Sequence, residues 1–240
     1  ATGYSRKDIL KVIYPNATKL GLTLLGGFVV ARSSIVIGSL FISLEQIASY
    51  GITIQIINII STIAATYTLT FIPQISHNSI QNNFKNTKKI YITGQLVLIL
   101  IYVSGGLFLL VFGNWSLSII KSDTQLLSRF MIAVALIIAF LEKNHSVAAS
   151  ILALIKNEIP FFKASLLSGF VTILLLLLLL NYTNFGLWSL LLAPGIAQLS
   201  YQNWKWPLTV KNELRIKIID YWILLKRYNR MFKTIKVINE

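Results

Sequence analysis

Three groups of residues could do chemistry in this otherwise apolar chain. Arg32 is the only charge between Leu20 and Phe41. A cation in hydrocarbon is unfavourable by the order of several kcal/mol unless it is paired or hydrated. Arg32 therefore reads as a cavity-lining cation for an anionic substrate group, or as half of an ion pair with Glu142. The second group is Glu142-Lys143-Asn144-His145. On a helix, Glu142 and His145 share a face and Lys143 points about 100° away. A carboxylate beside an imidazole could relay protons. The alternative is structural: Glu142 neutralises Arg32 or Lys143, and His145 donates to a neighbouring helix. The third group is Gln55, Asn58, Thr62 and Thr66, spaced by three and four. They form a polar stripe on one helix face. It could meet a sugar, line a hydrated path, or bond another helix.

No catalytic constellation accompanies them. Glu45 and Glu142 are the only carboxylates expected near membrane depth, and His77 and His145 are far apart in sequence. No HExxH motif, Gly-rich phosphate loop or acidic metal cluster is present. The sequence implies no enzyme, no metal and no cofactor.

The elements that must position these residues are transmembrane helices. Of 240 residues, 55% are hydrophobic and 12% charged, against about 25% charged in soluble domains. Crossing hydrocarbon takes roughly 20 apolar residues. Six segments qualify: about Leu20–Phe41, Gln46–Ile75, Ile90–Phe112, Leu126–Ile155, Ala164–Leu180 and Phe185–Tyr201. The fold class is all-α, a polytopic membrane bundle of about six helices over residues 1–211. The leucine tract 174–180 leaves the fifth helix no polar face, so it is expected to face lipid. Pro194-Gly195 is expected to kink or locally unwind the sixth. Residues 212–240 form a basic tail; 212–236 mixes cations with Ile216, Trp222 and other apolar residues. It reads as an interfacial amphipathic helix, or as a solvated tail. A chain that starts at Ala1 also reads as a piece of a longer protein.

The net charge of +14 forms no continuous patch for nucleic acid. Eighteen of the 22 Lys and Arg flank the bundle: before the first helix, in the second and fourth loops, and after Tyr201. Lys121 and Arg129 are the exceptions in the odd loops. This bias places both termini in the cytoplasm. The outward Asn181-Tyr182-Thr183 matches a glycosylation acceptor, a common chance match. With no cysteine, disulfides are excluded.

Several short motifs carry a family resemblance. They are Lys19-Leu20-Gly21, Ile47-Ala48-Ser49-Tyr50-Gly51, Phe71-Ile72-Pro73, Gly186-Leu187-Trp188 and Tyr201-Gln202-Asn203-Trp204-Lys205-Trp206-Pro207. Over residues 8–211 the chain resembles the C-terminal half of a Wzx-type O-antigen flippase. That family sits in the MATE-like multidrug/oligosaccharidyl-lipid/polysaccharide superfamily. The resemblance implies one six-helix lobe of a two-lobed transporter, in the bacterial inner membrane. It would move a lipid-linked oligosaccharide by alternating access, partnered by an N-terminal lobe or a second chain. Cavity cations would meet the pyrophosphate, a role that suits Arg32 and Lys143 by chemistry. Two alternatives stand beside it. One is a cation-coupled drug antiporter of the same superfamily. The other is a truncated or accessory membrane subunit with no transport activity, which a closed Arg32–Glu142 pair would support.

Overall fold

The computed structural model describes residues 6–119 and 124–226. Lys121 and the tail beyond residue 226 lie outside the described residues. Among the described residues there are no strands and eight α-helices. They are α1 (Arg6–Gly38), α2 (Leu44–Thr70), α3 (Ile72–Ile80), α4 (Phe84–Ile119), α5 (Arg129–Lys156), α6 (Phe162–Tyr182), α7 (Leu187–Leu199) and α8 (Gln202–Glu213). Residues 218–226 are also helical. Five stretches are long and apolar enough to cross a membrane: Ile13–Gly38, Leu44–Ile80, Phe84–Ile119, Arg129–Lys156 and Phe162–Tyr182. The protein is an all-α polytopic membrane bundle.

Boundaries differ from expectation in three places. The second segment does not end near Ile75. It breaks at Phe71 and continues as α3 to Ile80. Pro73 sits in the first turn of α3, where its missing N–H leaves no intrahelical bond unmade. The first segment ends at Gly38 rather than near Phe41, which leaves Arg32 six residues from the helix end, about 9 Å along the axis. The sixth segment is the short α7, which runs through Pro194-Gly195 without unwinding. Its break lies further on, at Ser200–Tyr201, where α8 begins.

The reason α7 survives its proline is visible in the hydrogen bonds. Pro194 has no N–H to offer the carbonyl of Leu190. An unpaired carbonyl is unfavourable in a membrane interior. Ser34 Oγ of α1 and Tyr50 Oη of α2 supply the missing donors to Leu190 O, at 2.9 and 3.2 Å. The proline thereby fastens three helices instead of breaking one.

Close crossings hold the bundle together. Helices α1 and α6 run parallel: Lys19 lies over the Phe162 ring, Ser165 Oγ donates to Thr23 O, and Gly26 meets both Ser165 and Gly169. A Cβ on Gly26 would fall 2.5 Å from backbone atoms of Ser165, so only glycine permits this approach. Tyr102 of α4 hydrogen-bonds Ser61 of α2 and donates to Ala139 O of α5 at 3.0 Å. The leucine tract is only partly outward. Leu174, Leu177 and Leu178 are exposed, whereas Leu176 is fully buried.

Two ion pairs close one end of the bundle. Lys156, ending α5, pairs with Glu213, ending α8, at 2.7 Å. Lys88, near the start of α4, pairs with Asp220 at 2.7 Å. Together α7 and α8 thus return the chain to the end where α4 and α6 begin.

Candidate functional site

A cavity of about 590 Å³ separates α1 from α5 and is floored by α6, α7 and α8. It is lined along α1 from Leu20 to Arg32, about 18 Å of helix. On α5 the lining residues are Glu142, His145, Ser146, Ala149, Ser150 and Ala153. These recur at three- and four-residue steps, so one helix face presents them all. The cavity runs from the α5–α6 connection, at Ile159 and Phe161, up to Arg32 and Glu142. A smaller cavity of about 80 Å³ adjoins it, sharing Val30, Ala31 and Glu142, and reaches Tyr50, Asn58 and Pro194. Glu142 is midway along α5 and lies on the wall of both.

The polar groups are held from the α7–α8 break. Glu142 of α5 and Gln198 of α7 line the same cavity. His145, buried at 7% exposure, donates from Nδ1 to Asn203 Oδ1 of α8 at 2.7 Å. Gln202 donates from Nε2 to Ser168 Oγ at 2.9 Å and accepts from the Trp206 indole. In an uninterrupted helix Gln198 and Gln202 would share a face and Asn203 would point about 100° away from Gln202. The break at Ser200–Tyr201 instead lets Asn203 find its partner on α5 and Gln202 its partner on α6.

Arg32 and Glu142 line the same cavity but form no ion pair; the pairs among the described residues are Lys88–Asp220 and Lys156–Glu213. The guanidinium is exposed on the cavity wall. Glu142 and His145 share one face, as their spacing implies. Lys143 is half-buried and lines neither cavity. The polar stripe of α2 faces outward: Gln55, Asn58, Thr62 and Thr66 are all exposed. Its threonines bond their own helix, Thr62 to Asn58 O at 2.8 Å and Thr66 to Thr62 O at 2.9 Å. They make no bond to another helix. Asn58 of the stripe also lines the smaller cavity.

Sequence reasoning missed Ser146, Ser150, Gln198 and Gln202. The two serines continue the Glu142 stripe at four and eight residues, a signal that was present in the spacing. The glutamines carry no such signal, because their placement depends on the α7–α8 break. At the supposed glycosylation acceptor, Asn181 Nδ2 donates to Leu177 O and Thr183 Oγ1 to Leu179 O. Both side chains cap the end of α6.

The chain matches no family model, no curated protein and no solved structure.

Proposed function

We propose that this chain is one lobe of a transporter that flips a lipid-linked oligosaccharide by alternating access, working with a second lobe or chain. The observation that carries the reading is the cavity between α1 and α5, with an unpaired Arg32 and a carboxylate on its wall. A cation on a hydrated wall at membrane depth suits an anionic phosphate headgroup. The outward stripe of Gln55, Asn58, Thr62 and Thr66 supplies neutral hydrogen-bonding groups of the kind that meet a glycan. The charge bias of the loops supports an inner-membrane orientation with both ends cytoplasmic.

Placing Lys143 outside the cavities leaves one cation and one acid on the wall, and this observation favours a second reading, a cation-coupled antiporter. A closed Arg32–Glu142 pair would have supported the accessory-subunit reading, and the ion pairs among the described residues do not include it.

The test is translocation of lipid-linked oligosaccharide in cells carrying Arg32→Ala or Glu142→Gln in the native assembly. Arg32→Ala is expected to lower export at least tenfold, about 1.4 kcal/mol of lost phosphate contact. Full export by Arg32→Ala would end the flippase reading. Loss of proton-coupled drug efflux in Glu142→Gln, with glycan export intact, would establish the antiporter.

A further inference from the structure

A third cavity, of about 250 Å³, lies at the end of the bundle that the two ion pairs close, between the start of α4 and the helical residues 218–226. Lys85, Lys88, Lys89 and Asp220 line it, with Ile92 and Leu224 behind them. Lys88 is already engaged. Its Nζ lies 2.7 Å from Asp220 Oδ2 and donates to Arg215 O at 2.8 Å. Lys85 and Lys89 are exposed and form no ion pair among the described residues.

Two physical features make this cleft unusual. Three cations stand within the first six residues of α4, where the helix dipole is positive and cations are disfavoured. An anion in the cleft would relieve both the dipole and the lysines. The neighbouring helix is also oriented the wrong way for water. Its Leu224 is buried and Asp220 faces Lys88, while Ile218, Ile219 and Trp222 lie on the other side at 57–76% exposure and Ile223 stands on the cleft wall. Lys226 lies over the Trp222 ring, 5.9 Å from its centroid. Apolar residues and an aromatic beside free lysines are the composition of an interfacial helix on an anionic leaflet.

We propose that this cleft binds the phosphate of an anionic phospholipid, with Lys85 and Lys89 as its cations and Trp222 among the acyl chains. The assignment is independent of what the bundle transports. The helix is pinned to α4 by the Lys88–Asp220 pair, so the phosphate site and the acyl-facing surface stay in register.

The experiment uses the full chain in phosphatidylcholine nanodiscs containing about 20 mol% of either brominated phosphatidylglycerol or brominated phosphatidylcholine. Quenching of Trp222 is read as the difference between the native chain and Trp222→Phe. Brominated phosphatidylglycerol is expected to quench about threefold more than brominated phosphatidylcholine. The double variant Lys85→Gln, Lys89→Gln should bring that ratio to about one, and Lys85→Arg, Lys89→Arg should keep it. If the double Gln variant misfolds, each single Gln variant carries the test, with an expected partial loss of preference. A native ratio of about one, or a preference that survives both Gln substitutions, overturns the proposal. So does the absence of quenching by either lipid. Loss of the preference on adding inorganic phosphate at constant ionic strength would mark a free-anion site and overturn the lipid assignment.

Discussion

At the residue scale, the Leu190 carbonyl shows how a sequence liability becomes a fastening. Pro194 removes its helical donor, and Ser34 and Tyr50 replace it. Ser34→Ala or Tyr50→Phe alone should cost about 1 kcal/mol. Both together should exceed the sum, because a buried carbonyl left with no donor carries the full desolvation penalty. In a Pro194→Ala background, where the helix again supplies an N–H, the double substitution should cost less than half as much. Unfolding in mixed micelles measures all three. Equal losses in both backgrounds would show that the hydroxyls serve some other purpose.

At the element scale, the contact of α1 with α6 depends on the absence of a side chain at Gly26. A methyl group there must displace Ser165 backbone, and overpacking of this kind costs about 1–3 kcal/mol. Gly27, one residue on, has nothing within 4 Å of its would-be Cβ. Gly27→Ala should therefore stabilise by about 0.5–1 kcal/mol, the gain in helix propensity alone. The pair of measurements separates helix packing from helix propensity, since the two substitutions gain propensity equally. If both stabilise to the same extent, α1 and α6 are not in close contact.

The tail helix gives a pH prediction at the same scale. The hydrogen bond from Lys88, helped by the Lys217 N–H, holds the Asp220 carboxyl below the usual aspartate range. A folded value below the unfolded one means that the clasp is fully stabilising above the ordinary aspartate pKa of about 3.9. Its contribution is lost as pH falls through the depressed value. Spin labels at Asn83 and Trp222 should report separation of the tail from α4 only under strongly acidic conditions. Asp220→Asn should show the separation at neutral pH, with the acid step gone.

At the scale of the whole molecule, the ion pairs Lys88–Asp220 and Lys156–Glu213 tie the tail to the end where α4 begins and α5 ends. Five long apolar spans alone would leave the tail on the far side. The return through α7 and α8 brings it back. Single cysteines at Asn82, Asn157 and Lys226, in a chain with none of its own, should all label from the side opposite Asn184. Labelling of Lys226 with Asn184 would mean that α7 and α8 do not complete a crossing.

The sequence by itself determined the class of solvent, the all-α bundle and the faces of individual helices. Those follow from composition and from the 3.6-residue period, which are local properties. Arg32, Glu142 and His145 stand out in the sequence because charged and titratable groups in apolar runs are conspicuous, and in the fold the three line one cavity. Tertiary structure decided the rest. It placed Lys143 off the cavities and turned the α2 stripe outward, because helix rotation is set by packing at contacts such as Gly26 with Ser165. It carried α7 through Pro194, because the replacement donors come from residues 140 and 156 positions away from Leu190 in sequence. Donors and cavity walls assembled from distant segments have no local signature, so the break at Ser200–Tyr201 and the glutamines it positions emerge only in the folded bundle.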